Sequence, residues 1–389
     1  MSRPTQAAAD WRQHFFEFDD VVYLNAAAQG PLPRSAARAL QQALEWKKNP
    51  ATLPDSAYFE LPNRVRQLLA QMLGADPREF AITTGASAGL AAVAAGLPWS
   101  PQDEVLLAEG EFPAHFATWM PLAEAGRLRV NIVRATRQRF LTAEDVLDGL
   151  TPRTRLISIS LVRFENAARI DAARLATACR AVGALLLLDL SQCAGAMPLD
   201  LRALGADFAV CSGYKWLLSP YGTGFFWLRR ELLDSERFFA PAPFYWMALE
   251  GAEQFESLGR NDWRPVADAR RWDAPETGSF FNLLPMAAAL EFLCRMGVAT
   301  IWEHNQRLLS LLVERLPRDR CVLASPADPA ARGPFLCIAG RSPSSTAVLH
   351  QKLRENKVVV SLRQGALRIA PHLYNTERDI DRLLTLLAV

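Results

Sequence analysis

Short apolar runs alternate with stretches of helical apolar spacing through most of the chain. Residues 79–84, 104–108, 128–133, 156–161, 184–189, 207–212 and 224–228 read as strands. Residues 86–95, 116–125, 142–150 and 171–182 repeat apolar positions every three to four residues and read as helices, with Thr142 as an N-cap. The run Leu185-Leu186-Leu187-Leu188 is apolar on both sides, the pattern of a strand buried inside a parallel sheet. This order predicts an α/β fold, with a mostly parallel central sheet, helices on both faces and right-handed crossovers. Upstream, residues 21–24 predict a short strand, Ser35 an N-cap for a helix reaching Lys47, and residues 61–73 a further helix. Residues 238–282 are rich in Pro, Trp, Arg and Gly without a period, and predict a long functional loop. A helical pattern over 284–316, broken near Gly297, leads into short strands at 335–339 and 358–361 and helices near 346–355 and 376–387. The resulting division is an N-terminal arm over 1–20 packing with the small domain, a large domain over 21–285 and a small α+β domain over 286–389.

A length of 389 residues suits two domains, and 50% hydrophobic against 22% charged residues excludes disorder. The net charge of +2 gives no electrostatic footprint for nucleic acid or an anionic membrane. No apolar run has transmembrane length, and the first nine residues do not read as a secretory signal. The cysteines at 179, 193, 211, 294, 321 and 337 are widely spaced without a CxxC pair, which fits reduced thiols in a cytoplasmic protein and no metal site.

Asp189 closes the most apolar strand, where open α/β sheets place their ligands, and Lys215 follows the strand ending at Ser212. A lysine that forms a Schiff base and a carboxylate that holds a pyridinium nitrogen suit pyridoxal phosphate chemistry. Spacing alone serves a helix-capping Asp and a surface Lys equally well.

The surrounding words narrow this. Residues 189–195 (DLSQCAG), 205–208 (GADF), 211–217 (CSGYKWL) and 220–225 (PYGTGF) closely resemble the class V aminotransferases. This fold-type I pyridoxal-phosphate family includes cysteine desulfurases, kynureninases and isopenicillin N epimerase-like proteins, and the resemblance runs in order along nearly the whole chain. It implies Lys215 as the Schiff-base lysine, Asp189 on the ring nitrogen and Gln192 near the phenolic oxygen. Ser212 and Tyr214 would contact the phosphate, and Tyr rather than His before the lysine looks more like kynureninases. Phe112, in Glu109-Gly110-Glu111-Phe112-Pro113, matches the ring that stacks on the cofactor, where desulfurases carry a histidine. The phosphate loop matches Thr84-Gly85-Ala86-Ser87-Ala88-Gly89, with Gly85 at the turn and Ala86 and Ser87 supplying donors at a helix N-terminus. Asn166 matches a position near the phenolic oxygen or substrate, and a turn Asn serves the same residues.

Arg368, within residues 361–376, matches the arginine that forks an α-carboxylate, with Arg363 as a second candidate. Ala28 and Gln29 resemble the segment that closes over the substrate. Gly278-Ser279 resembles a segment reaching the partner's phosphate, which implies a homodimer with active sites at the interface. Phe244, Tyr245, Trp246 and Trp263 line either a substrate pocket or a dimer contact. No Cys lies between Arg363 and Arg368, which speaks against a persulfide route. The function implied is a pyridoxal-phosphate enzyme acting on a small amino acid, aminotransferase-type, with a lyase or an epimerase sharing the same chemistry up to loss of the α-proton. Two further classes stay open: a serine hydrolase using Ser87 in Gly85-Ala86-Ser87-Ala88-Gly89, with Asp189 and His304 in the right order, and a cofactor-binding module without turnover.

Overall fold

The computed structural model describes residues 11–233, 245–259, 263–276 and 278–388. Seven strands form the main sheet: β2 (Phe80–Thr83), β3 (Glu104–Ala108), β4 (Arg129–Val133), β5 (Thr154–Ser160), β6 (Leu185–Asp189), β7 (Phe208–Ser212) and β8 (Gly224–Leu228). Their order is β2-β8-β7-β6-β5-β3-β4. All pairs are parallel except those of β8, which runs antiparallel to β2 and β7. Both faces are buried except along edge strand β4, where Arg129 and Ile132 are exposed, and β6 shows the alternation. Leu186 and Leu188 belong to one core cluster, while Leu185 and Leu187 belong to the other.

The helices follow the predicted positions closely. They are α1 (Arg34–Lys48), α2 (Ala57–Leu73), α3 (Ala86–Gly96), α4 (Pro113–Glu124), α5 (Ala143–Asp148), α6 (Ala172–Val182), the single turns α7 (Leu201–Leu204) and α8 (Arg230–Leu233), α9 (Phe280–Met296), α10 (Val298–Arg315), α11 (Pro343–Glu355) and α12 (Glu377–Ala388). Thr142 caps α5 in a capping box with Asp145. Ser35 does not cap α1; Pro33 occupies that position and Ser35 lies inside the helix. Proline's fixed φ suits the entry, so the helix starts two residues earlier than the Ser cue places it.

The C-terminal part carries an antiparallel sheet ordered β12 (Ser361–Arg363), β13 (Ala366–Ile369), β10 (Leu336–Gly340), β9 (Cys321–Leu323). β1 (Val22–Tyr23) stands outside the main sheet and pairs in parallel with β11 (Val358–Val359). Val22 and Leu24 share a core with Leu308, Leu312, Val358 and Leu383. Trp11 meets His304 edge-on at 5.0 Å, and Phe15 packs on Phe292 and Tyr374. Residues 1–10 of the expected arm and Phe244 of the aromatic loop lie outside the described residues. The break at Gly297 bends α9 against α10 by 75°. Among the described residues no single helix is long and apolar enough to cross a membrane.

Candidate active site

The main sheet gathers the site at one edge. Thr83, Ala108, Ser160, Asp189 and Ser212 end their strands there, and antiparallel β8 begins there with Gly224. Open α/β sheets bind ligands beyond these carboxyl ends. A cavity of about 220 Å³ lies there, and Gly85, Ala86, Ser87, Phe112, Asp189, Ser212, Tyr214 and Lys215 all line it. Eight of the sequence-nominated residues thus meet in one place. Larger cavities of about 420 and 560 Å³ lie elsewhere, and neither is lined by a lysine, a histidine or a cysteine.

One wall is built for an anion. Gly85 has φ +151°, a conformation that side chains rarely allow, and it turns the chain from β2 into α3. Gly224 approaches it so closely that an added Cβ would stand 2.7 Å from Gly85 Cα and 2.4 Å from the Cys211 carbonyl oxygen. The first backbone N–H groups of a helix lack partners within it. Here the Ala86 N–H donates to Ser212 Oγ at 3.2 Å, which places that hydroxyl at the helix end beside Ser87.

The opposite side holds ionised groups. Asp189 is buried and accepts the Ser191 N–H at 2.7 Å. Its other oxygen lies 3.7 Å from His115 Nε2, and Glu111 Oε2 lies 3.7 Å from the same nitrogen. Glu111 in turn accepts from the Ser160 N–H and hydroxyl at 2.9 and 2.6 Å and pairs with buried Arg163 at 2.5 Å. Burial alone pushes both carboxyls up. The cations and donors around them outweigh it and hold Glu111 and Asp189 below the ordinary carboxylate range. For His115, burial opposes the charged ring, but Glu111 and Asp189 prevail and raise it. His115 and Glu111 were not singled out from the sequence. Local spacing did not mark them: Glu111 lies in the turn before α4, outside the helix that carries His115, so the helical four-residue rule does not pair them.

Lys215 is buried, with Nζ 5.0 Å from the centroid of the Phe112 ring and 5.6 Å from that of Tyr214. Burial lowers its proton affinity, Asp189 works against that, and Arg368 adds to the lowering. Gly30 packs on the Lys215 turn: its N–H donates to the Tyr214 carbonyl at 2.9 Å, and a Cβ would stand 2.1 Å from the Lys215 carbonyl oxygen. The turn holding Ala28 and Gln29 is thereby fixed beside the lysine, with Gln29 O accepting from Tyr23 Oη at 2.7 Å.

Other nominated residues stand outside the cavity lining. Gln192 uses its amide on the Ala27 carbonyl (3.2 Å) and on Trp216 Nε1 (3.3 Å). Asn166 accepts the Ala168 N–H at 2.8 Å, a turn contact. Ser279 precedes α9 and lines two neighbouring cavities, one of which shares Thr84. Arg368 is buried, donates to the Phe164 carbonyl at 3.4 Å, and has no hydrogen-bond partner at Nε among the described residues. Burial lowers its pKa to about 10. Arg363 is exposed and donates to the Leu362 carbonyl. The hydrolase triad is not assembled: His304 bonds the Asn375 carbonyl at 3.1 Å, and no histidine lines the cavity that Ser87 faces.

Comparison with known proteins places this geometry. The family profile described as Aminotransferase class-V matches residues 22–383. The isopenicillin N epimerase of Streptomyces clavuligerus is 28% identical, with 97% of each chain covered. A probable cysteine desulfurase of Methanothermobacter thermautotrophicus is 31% identical over 74% of this chain and 70% of its own. Among solved structures, a C-DES mutant with glycine covalently linked to its pyridoxal-phosphate cofactor superposes with a TM-score of 0.84. That pair is 23% identical over 97% of this chain and 98% of the other, a likeness of fold.

Proposed function

The chain belongs to the class-V aminotransferase family and is a pyridoxal-phosphate-dependent enzyme, and from that premise we propose that it transfers the amino group of a small amino acid with a free carboxylate. The observation that carries this reading is a single buried amine, Lys215, sharing one cavity with a buried carboxylate, Asp189.

The donor set fits the cofactor. The N-terminus of α3, with Ser87 and Ser212, would hold a phosphate, and the Gly85–Gly224 contact leaves that cradle clear of side chains. Tyr214 would flank it, Asp189 would pair with the ring nitrogen, Phe112 would lie against the ring, and Lys215 Nζ would be the covalent anchor. Gln192 and Asn166 spend their amides on protein atoms, so we assign them to holding the walls. Bound pyridoxal phosphate supplies an electron sink for the carbanion left when an amino acid loses its α-proton.

The chain's own residues do the rest. Arg368 binds the substrate carboxylate: its guanidinium is buried, has no carboxylate partner among the described residues, and presents a planar fork. Arg363 stands exposed as a second cation, and the turn at Ala28 and Gln29 closes the substrate side. Lys215, its amine made less basic by burial, takes the α-proton and delivers it again. Phe112 occupies the place of a histidine acid and transfers no proton. One base therefore serves every transfer, which favours transamination over an epimerisation that draws on two. A sulfur relay is also disfavoured: Cys337 is fully buried in β10 and its thiol is pushed up to about 12.

A homodimer belongs to the same reading. Gly278 and Ser279 share a cavity of about 480 Å³ with Tyr58, Trp246 and Phe255, and Trp246 and Phe255 are exposed. Light scattering in solution tests it, and a monomer refutes it.

The decisive experiment is a visible spectrum before and after borohydride, on wild type and Lys215→Ala. Amino acids are then supplied one by one with a 2-oxo acid acceptor. We expect a band that borohydride removes and the variant lacks, and a new amino acid formed from the acceptor. Pyruvate with ammonia or sulfide, or only the D-enantiomer of the donor, would replace transamination by elimination or epimerisation. No band after incubation with pyridoxal phosphate would overturn the whole assignment.

A further inference from the structure

Asp189 does not stand alone behind the cavity. Four charged side chains, all buried, run back from it in one line: Asp189, His115, Glu111 and Arg163. Nε2 of His115 faces two carboxylate oxygens at 3.7 Å each and has no hydrogen-bond partner among the described residues, so a proton on it is attracted by both and a lone pair repelled by both. Nδ1 lies 2.9 Å from Ser158 Oγ, which also accepts from Trp119 Nε1 at 3.0 Å. With His115 charged, these four groups sum to zero, and Glu165 on the far side of Arg163 (2.9 Å) and Lys215 beside Asp189 add one group of each sign; with His115 neutral, the line carries an unbalanced buried negative charge, which is costly.

We propose that His115 is a positioning residue that stays charged between Glu111 and Asp189 and so keeps Asp189 an ionised partner for the cofactor's ring nitrogen. The proposal rests on the assignment of Asp189 made above. The groups facing the two ends are few. His115 meets Glu111, Asp189, Ser158 and Trp119, with Arg163 and its second partner Glu165 beyond; Asp189 meets His115 and the Ser191 N–H, with Lys215, Tyr214, Cys193 and Cys211 nearby. If the charge on His115 is removed, one of the two carboxylates takes up a proton, as like charges sharing a buried site do. Glu111 keeps Arg163, the Ser160 N–H and hydroxyl and the Phe112 N–H, whereas Asp189 keeps, among the described residues, one hydrogen bond, from the Ser191 N–H, and the charge of Lys215. The proton therefore settles on Asp189. A protonated ring nitrogen must then displace it on binding, and one proton leaves to solvent.

The test is the binding of pyridoxal 5'-phosphate to the full chain freed of cofactor, followed by quenching of tryptophan fluorescence across about pH 5.5 to 8. The quantity read is each variant's dissociation constant divided by that of wild type, which cancels the titration of the phosphate. For His115→Gln we expect the ratio to rise as pH falls, by up to about tenfold per pH unit. Glu111→Gln leaves His115 charged beside Asp189 and should give a flat ratio. Glu111→Gln/His115→Gln removes the cation together with the surplus anion and should recover most of the loss. A flat ratio for His115→Gln, or a double variant worse than either single one, would overturn the proposal, because a merely structural role gives additive, pH-independent losses. If His115→Gln does not fold, the double variant carries the test: a folded chain with a flat ratio supports the charge balance, and an unfolded one refutes it. Asp189→Asn separates the premise: wild-type affinity there would sink the assignment of Asp189, whereas weakened binding there with a flat His115→Gln ratio sinks only the role of His115.

Discussion

Gly224→Ala should damage fold and cofactor site together, for a reason that can be followed atom by atom. The residue opens β8 with ordinary backbone angles, so alanine brings no conformational penalty of its own. The new methyl, however, would stand 2.4 Å from the Cys211 carbonyl oxygen, 2.7 Å from Gly85 Cα and 2.9 Å from Gly85 N. All three neighbours are backbone atoms, two of them at the start of the phosphate loop, so no flexible side chain can yield. Overpacking a tight core costs about 1–3 kcal/mol, and a clash with two strands belongs at the upper end. Relief requires the sheet to part or Gly85 to withdraw from Ser212. The second path misplaces a charge-assisted hydrogen bond to the phosphate, worth about 1.5–3 kcal/mol, or about 10- to 100-fold in affinity. The assay pairs urea denaturation of the cofactor-free chain with a pyridoxal-phosphate binding curve. Gly222→Ala is the control: φ is +82° and the nearest foreign atom is 3.6 Å away, so it carries backbone strain without the collision. If Gly224→Ala matches wild type in both measurements, or merely equals Gly222→Ala in affinity, the contact does not set the loop and the reasoning fails.

Arg368→Lys should raise KM for the amino acid by about 10- to 100-fold with a smaller change in kcat, since a point charge cannot replace the planar fork; an unchanged KM refutes carboxylate recognition there. Asp273→Ala strips buried Arg66 of its carboxylate and the Ile82 N–H of its acceptor, and should cost about 3–5 kcal/mol in urea denaturation, with a loss under 1 kcal/mol refuting it. His372 is fully buried with neither ring nitrogen bonded among the described residues, and burial lowers its pKa to about 3. The unfolded chain therefore binds one more proton than the folded one below the unperturbed 6.5, so stability falls as pH falls through that window. His372→Phe keeps the stacking on Trp216 and Tyr374 and should flatten the acid slope by up to about 1.4 kcal/mol per pH unit, read as urea midpoints at two pH values.

The inner strands of the main sheet were legible because most are short apolar runs bounded by turn residues and buried on both faces, whereas edge strand β4 mixes Arg129 and Asn131 with its apolar positions. The site's frame was legible for a related reason. Asp189, Ser212 and Gly85 sit at strand ends, and strand ends on one side of a parallel sheet converge whatever their separation in sequence. What stayed hidden was lateral. Nothing in local spacing announces that Glu111 and His115, on α4 and the turn before it, reach Asp189 across β5, because that contact depends on strand order. The antiparallel sense of β8 and the strand at 366–369, within the segment read for Arg368, were hidden for the same reason. Ser35 misled because capping preference weighs little against a proline that already has helical φ.

The pairing of β1 with β11 has a bearing on the protein's birth. Val22 meets Val358, and Gln192 holds the Ala27 carbonyl just downstream of that strand. The segment that flanks Lys215 is thus moored to a partner made among the last residues of the chain. During synthesis the main sheet can assemble once β8 has left the ribosome, and Gln192 and the Tyr214 carbonyl can then hold the Ala27–Gly30 turn, but the strand before it gains its own partner only once residue 358 has followed. Such remote contacts close late and slowly, and the exposed edge awaiting them is the stretch most open to misassembly. A nascent chain truncated before β11 should therefore hold an ordered sheet while the strand leading to the turn beside Lys215 still lacks its partner.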